Sequence, residues 1–321
     1  MATLTAHFRD VITSRRMILA GALILAIGPA TALAQTAPAK PLEVVTSFSI
    51  LADLTRQVAK ERANVVPLVG PNADAHVYQA SPADARKVKE AGLIVVNGLG
   101  FETFMPRLIR SAGAKAPVVT ASTGIKPIKT EGGHGHGHSH GHSHGANDPH
   151  AWQSVEAVRT YVANIRDGLI KADPAGEAIY RRNAEAYLAE LATLKADLEK
   201  GFAALPKERR VAVTSHDALA YFAREFGFTF EAVQGVSTEA EPSAKDVARI
   251  IRLTREKKAR AIFVENMNSA RIAEQIARET GAKIGGTLFS DALSDEKGPA
   301  PTYIAMMRHN ARTLLDALKA E

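Results

Sequence analysis

Residues 174–205, PAGEAIYRRNAEAYLAELATLKADLEKGFAAL, carry apolar side chains at Tyr187, Leu191, Leu194, Leu198 and Phe202. Steps of three and four keep these on one stripe of a helix, and Asp173-Pro174 punctuates its start. At about 1.5 Å per residue such a helix spans roughly 45 Å, enough to cross two lobes. An ordinary long core helix would carry the same stripe. Position favours a rigid connector, because βα units stand on both sides.

Before the helix, short β-branched runs alternate with helical segments, the pattern of a mostly parallel sheet. Strands are predicted at 43–47, 65–69, 93–97 and 118–121, and helices at 50–60, 82–91, 101–112 and 154–172. After it, strands are predicted at 210–215, 229–236, 261–265 and 284–288, and helices at 218–226, 244–258, 270–280 and 303–319. Ser243 is the expected N-cap of the helix at 244, with Asp246 in its first turn. The fold class is α/β: two βα lobes with mostly parallel sheets, joined by one long rigid helix. The expected boundaries are 42–172 for the N-terminal lobe, 173–205 for the connector and 206–321 for the C-terminal lobe.

At 321 residues the chain exceeds what one hydrophobic core usually organises. Its formal net charge of +6 includes Arg9, Arg15 and Arg16 near the start, so the remainder keeps only a weak basic bias. No dense Lys/Arg run with interleaved aromatics is present, which argues against a nucleic-acid partner. The sequence contains no cysteine, which excludes disulfides, thiolate zinc sites and a lipid-anchoring cysteine.

Arg15-Arg16 precede an apolar run from Met17 to about Ala30, and Ala32-Leu33-Ala34 supplies a small-x-small cleavage signature before Gln35. The run is too short for a membrane span. Residues 1–34 are therefore expected to be a signal peptide, by a general secretory or a twin-arginine route, and 35–41 a spacer. The mature protein is expected in the periplasm without a lipid anchor.

Residues 132–152 read GGHGHGHSHGHSHGANDPHAW. His134, His136, His138, His140, His142 and His144 alternate with Gly and Ser, which offer no apolar face, so 132–145 is expected to be a mobile loop whose imidazoles bind borderline metals. A solvated linker without a role is the plain alternative. A mobile tract cannot fix a coordination geometry, so a specific ion needs ligands on rigid elements.

In open parallel sheets, ligands bind beyond the carboxyl ends of strands. His76 follows the second strand. His150 lies just past the loop, stiffened by Pro149 and beside Trp152. His216 directly follows the strand at 210–215, and Asp291 follows the one at 284–288. Two fall in each lobe, so an ion held by all four would sit in the cleft. Three neutral imidazoles and one carboxylate suit tetrahedral Zn²⁺ in a closed site. Softness alone leaves Mn²⁺ and Fe²⁺ open, and zinc exceeds both in intrinsic affinity. No short motif joins the four, and a lone histidine is as readily a hydrogen-bonded structural residue.

Neighbouring residues have plainer readings. Trp152 packs beneath His150, and His309 is a surface or helix-capping residue. Asp148 and Asp217 either orient an imidazole through its second nitrogen or serve as caps. Glu265-Asn266 line the cleft, and Glu239 and Glu241 sit in a solvated loop. A rival of another class is a zinc hydrolase with three histidines and an open position, which would need a general base such as Glu239 or Glu265. The chain has no His-Glu-x-x-His segment.

Four local stretches carry a resemblance. They are Asp74-Ala75-His76-Val77-Tyr78 with Ser81-Pro82-Ala83-Asp84; Asn147-Asp148-Pro149-His150-Ala151-Trp152; residues 215–222, SHDALAYF; and Asp291-Ala292-Leu293. In these the chain resembles the zinc/manganese solute-binding proteins of bacterial metal ABC importers (cluster A-I type), over nearly all of 42–320. The resemblance implies metal binding at His76, His150, His216 and Asp291, and a long rigid helix between two αβ lobes. Manganese-preferring members usually place a glutamate where His216 stands, and a histidine-rich loop typifies zinc members, so the zinc branch is implied. Ala75 departs from a usual proline, and Ala151-Trp152-Gln153-Ser154 is a variant ending. Residues 301–304 and 307–310 resemble segments also found in manganese binders.

The function implied is extracytoplasmic Zn²⁺ capture by a monomer and delivery to an ABC permease with a cytoplasmic ATPase; no bond is made or broken. A periplasmic zinc metallochaperone is a further candidate partner, Mn²⁺ or iron the alternative cargo, and the loop histidines an accessory, weaker site. With ordinary imidazole pKa values, affinity is expected to fall below about pH 6.

Overall fold

The computed structural model describes residues 40–130 and 147–319. The expected signal peptide, residues 35–39 of the spacer and the histidine-rich stretch 132–145 lie outside the described residues.

The first lobe alternates strand and helix: β1 (Leu42–Phe48), α1 (Ser49–Ala59), β2 (Ala63–Val69), α2 (Pro82–Glu90), β3 (Leu93–Val96), α3 (Met105–Ala112) and β4 (Val118–Thr120). Its strands are all parallel, in the order β2-β1-β3-β4. Strands covered on both faces read as continuous apolar runs, and Val44, Val45 and Leu93 to Val95 are buried accordingly. Ser81 caps α2 in a reciprocal capping box with Asp84, and Pro82 opens the first turn.

Helix α4 (Val155–Ala172), capped by Ser154, leads through a single 3-10 turn at Pro174–Gly176 into α5 (Glu177–Ala203). The predicted stripe is the buried face of α5: Tyr187, Leu191, Leu194, Leu198 and Phe202 are at most 4% exposed, joined by Tyr180 and Ala184. Each such large apolar side chain contributes roughly 1.5–3 kcal/mol on burial. The bidentate pair of Arg62 with Asp173, to which Tyr180 also donates at 2.6 Å, ties the start of α5 to the first lobe.

The second lobe repeats the scheme with β5 (Val211–Thr214), α6 (Ala220–Phe226), β6 (Thr229–Ala232), α7 (Ala244–Glu256), β7 (Ala261–Glu265), α8 (Arg271–Thr280), β8 (Lys283–Leu288) and α9 (Tyr303–Lys319). Its parallel order is β6-β5-β7-β8, the same second-first-third-fourth arrangement as in the first lobe. Ser243 and Asp246 form the expected cap of α7. Gly227 ends α6 in the left-handed conformation, where a side chain would be strained.

One continuous core runs from β1 and α1 through α4 and α5 to β8 and α9, so the lobes share an interior; the α7 and α8 layer forms a smaller one. No described helix is long and apolar enough to cross a membrane.

Two expected elements begin late. Helix α3 starts at Met105 and not at 101, because Glu102 turns inward: its Oε1 takes Ser47 Oγ and the Asn97 N–H, each at 2.5 Å, and its Oε2 takes the Gly98 N–H at 3.2 Å. Helix α6 starts at Ala220, leaving residues 215–219 as the turn that carries His216.

Candidate metal centre

Each candidate ligand stands beyond the carboxyl end of a strand, on a segment with its own anchor. After β2, Asp74 Oδ1 accepts the His76 N–H at 2.8 Å, while Asp74 Oδ2 accepts Thr238 Oγ from the second lobe at 2.6 Å. Asp148 Oδ1 accepts both the backbone N–H of His150 at 2.9 Å and its Nδ1 at 2.8 Å, which turns Nε2 inward as a lone-pair donor. The amide of Asn97, at the end of β3, donates to the Pro149 carbonyl at 3.0 Å. Trp152 packs against the His150 ring at 5.2 Å between centroids, as expected, and Phe101 stands edge-on to His76 at 4.8 Å.

In the second lobe, Glu265 at the end of β7 accepts the His216 N–H at 2.9 Å, and its other oxygen lies 2.5 Å from His216 Nδ1. That second oxygen also accepts Ser290 Oγ at 2.5 Å, next to Asp291. Glu265 is wholly buried. It performs the orienting role that sequence offered to Asp217, whose side chain makes no hydrogen bond to an imidazole among the described residues. The sequence offers Glu265 as cleft lining or as the base of a hydrolase, not as the partner of His216. The signal was present, a carboxylate at a strand end, but its partner depends on β5 and β7 being neighbours.

The four side chains converge. Asp291 Oδ2 lies 3.2 Å from His76 Nε2, 3.1 Å from His216 Nε2 and 3.6 Å from His150 Nε2. The Nε2 atoms of His76 and His150 are 3.4 Å apart, and one donor atom from each residue falls within 4.8 Å of every other. Donors on a tetrahedral ion at about 2.0–2.1 Å are separated by about 3.3 Å, so the cage fits a small divalent cation. His150, His216 and Asp291 are wholly buried and His76 is 8% exposed. Asp291 Oδ1 is buried with no hydrogen-bond partner among the described residues, a free donor on the cage wall.

The electrostatics agree. Burial alone would lower His150, but the Asp291 charge and the Asp148 hydrogen bond outweigh it and push its pKa up to about 9. Burial opposes protonation of His216 as well, yet Glu265 and Asp291 hold its pKa well above the ordinary value. Burial would raise Asp291, and the facing imidazoles of His150 and His216 instead hold it well below the usual carboxylate range. A dense negative pocket takes up protons when no cation fills it.

His309 stands apart from the cage, as its surface or helix-capping reading implies. His309 Nε2 meets the Thr287 carbonyl at 3.0 Å, with its ring edge-on to Phe289, at the end of β8. The loop histidines His134, His136, His138, His140, His142 and His144 lie outside the described residues. The residues flanking that stretch are paired: Lys129 and Asn147 form an antiparallel bridge, and Asp148 N donates to the Ile128 carbonyl at 2.8 Å.

The family described as zinc-uptake complex component A, periplasmic, matches residues 44–317. This chain belongs to that family. An iron-binding protein of Yersinia pestis is 35% identical over 88% of this chain and 89% of its own length. A manganese-binding lipoprotein of Halalkalibacterium halodurans is 34% identical over 86% and 88%. The solved periplasmic zinc-binding protein of Treponema pallidum superposes with a TM-score of 0.78 at 31% identity, covering 87% of this chain and 99% of that one. The family fixes the role in outline: a metal-binding substrate-binding protein of an ABC importer, which works with a permease and an ATPase and is not an enzyme. The hydrolase reading falls with it, and Glu265, engaged by His216 and Ser290, is not placed as a base.

Proposed function

We propose that this chain captures Zn²⁺ in the periplasm as a monomer and delivers it to its permease, with His76, His150, His216 and Asp291 as the ligands. The observation that carries the reading is the convergence of three imidazole Nε2 atoms on Asp291 Oδ2 at 3.1–3.6 Å inside a buried pocket. Three neutral nitrogens with one carboxylate oxygen match zinc in donor type, number and spacing. The leader and the absence of cysteine favour export without a lipid anchor, unlike the relatives named as lipoproteins. The histidine-rich stretch 132–145 is proposed as a weaker accessory site for the same ion, and the lobe boundaries as 42–172, 173–205 and 206–321. A periplasmic metallochaperone is proposed as the donor of the ion.

A second reading has its own support. Asp291 Oδ1, without a hydrogen-bond partner among the described residues, offers a fifth donor, which suits Mn²⁺ or Fe²⁺ better than a tetrahedral ion, and relatives at 34–35% identity are named for manganese and iron.

The test uses metal-stripped chain beginning at Gln35, intact and with 132–145 deleted, offered equal Zn²⁺ and Mn²⁺ against a competing chelator. One tight zinc per chain in both forms, lost in His216→Ala, is expected. Tight manganese would reverse the choice of metal, and no tight ion after the deletion would move the site to the loop.

A further inference from the structure

Gln153 is wholly buried. Its Nε2 donates to the Ser290 carbonyl at 2.6 Å, and the indole Nε1 of neighbouring Trp152 donates to the same oxygen at 2.8 Å. Ser290 immediately precedes Asp291. Both donors stand on the 3-10 turn Ala151–Gln153, closed by Gln153 N donating to the His150 carbonyl at 3.0 Å. One short turn thus presents His150 and grips the backbone that carries Asp291, a residue from the other lobe. Beyond Asp291 the fastening continues: Leu293 N donates to Ser49 Oγ at 3.0 Å, and Asn72 N to the Leu293 carbonyl at 2.9 Å. His216 is fixed differently, through Glu265 of its own lobe.

The amide of Gln153 is an expensive way to fill this position. Its Oε1 is buried with no partner among the described residues, and an unsatisfied buried acceptor carries a desolvation penalty that an apolar side chain of similar volume avoids. Packing alone would favour methionine or leucine. What the amide adds is a second donor on a carbonyl one residue from a candidate ligand.

We propose that Gln153, together with Trp152, is a positioning residue that limits the Asp291 carboxylate to one oxygen on the ion and thereby sets the preference among divalent cations. The proposal rests on the reading of His76, His150, His216 and Asp291 as ligands. With only Oδ2 turned to the three imidazoles, the cage offers four donors, the number zinc takes. A manganese or ferrous ion gains from a fifth donor, and Asp291 Oδ1, buried without a hydrogen-bond partner among the described residues, is one on the same carboxylate. Bringing it in requires the carboxylate to turn and the Ser290–Asp291 backbone to yield. Two convergent donors on the Ser290 carbonyl oppose that movement. The selectivity device is therefore located across the lobe interface from the carboxylate it controls.

The test compares the full chain beginning at Gln35 with Gln153→Met and Trp152→Phe. Zn²⁺ and Mn²⁺ affinities are measured by chelator competition, amide exchange is followed at 290–293, and thermal unfolding of the metal-free form is recorded. Removing an orienting partner of a ligand commonly costs about 10- to 100-fold in affinity. Gln153→Met is expected to lose that much for Zn²⁺ and less for Mn²⁺, so the selectivity ratio falls, with faster exchange at 290–293 and an undiminished melting temperature. A ratio equal to that of the unaltered chain overturns the proposal, even if both affinities drop together, because a merely structural role moves both alike. Should Gln153→Met fail to fold, Trp152→Phe removes the other donor and must shift the ratio the same way. Failure of the unaltered chain to hold one His216-dependent ion would instead remove the ligand assignment itself, and the proposal with it.

Discussion

Glu265 holds His216 at two points: one carboxylate oxygen takes the backbone N–H at 2.9 Å, and the other lies 2.5 Å from Nδ1 of the ring. A carboxylate behind an imidazole fixes its tautomer and strengthens it as a donor through the opposite nitrogen. Glu265→Gln keeps the size and polarity but removes the charge. The expected result is an affinity loss of about 10- to 100-fold in a chain that still folds without metal. Unchanged affinity in chelator competition would make Glu265 a structural residue only.

Metal binding should expel protons at neutral pH. Burial works against the charged form of both imidazoles, but Asp291 and Asp148 bring His150 to about 9, and Glu265 and Asp291 hold His216 well above its ordinary value. An ion must displace those protons. Affinity is therefore expected to climb with pH from the ordinary imidazole value of 6.5 through about 9. This moves the fall anticipated below about pH 6 upward. Calorimetry at pH 7 in buffers of different ionisation enthalpy should report more than one proton released per ion. Release of none would contradict the pocket's charge balance.

The same shifts set the stability of the metal-free chain. A histidine raised to about 9 contributes stability that is fully present below 6.5 and lost as pH rises through 9. Asp291, held below its ordinary 3.8, contributes stability present above that value and lost as pH falls through its folded one. The metal-free melting temperature should therefore be highest between about pH 4 and 6.5 and decline towards pH 9. Zinc-loaded protein, whose imidazoles carry no proton at Nε2, should lack the alkaline decline, and parallel profiles for the two forms would refute the assignment.

The hydroxyl of Thr238 reaches across the interface to Asp74, which in turn holds the His76 N–H. Thr238→Val removes one hydrogen bond, worth about 0.5–1.5 kcal/mol. Zinc dissociation measured by stopped-flow chelation should accelerate by about two- to tenfold, with the fold unchanged. An unaltered rate would mean the contact does not restrain His76.

Leu191 sits in the middle of the buried face of α5, inside the core that both lobes share. Leu191→Ala should cost about 2–5 kcal/mol in chemical denaturation. The transition should stay single, because the lobes share that core. Two separated transitions would mean that the lobes unfold independently.

Much of this molecule was legible in its sequence, for physical reasons that differ by element. The stripe at Tyr187, Leu191, Leu194, Leu198 and Phe202 was readable because helical periodicity is local, and the Ser243 cap because its partner Asp246 is three residues away. His76, His150, His216 and Asp291 were named from strand ends and resemblance, and the fold brings their donor atoms together. What escaped were contacts that depend on sheet order or on distant turns. Glu265 meets His216 only because β7 lies beside β5. Gln153 meets Ser290 across an interval of 137 residues, with no periodicity linking them. The late start of α3 follows from Glu102 bonding back to Ser47 on β1, the strand beside β3, which helical propensity does not anticipate.

The bridge between Lys129 and Asn147 makes the chain a natural chassis for a sensor. The polypeptide leaves the first lobe and returns to it at two adjacent, mutually bonded positions, and three residues later it delivers His150 to the cage. A cassette whose ends lie close together, such as a circularly permuted fluorophore, finds bonded neighbours at 129 and 147 as its points of attachment. A change in its emission on adding an ion is the signal such a graft is built to give.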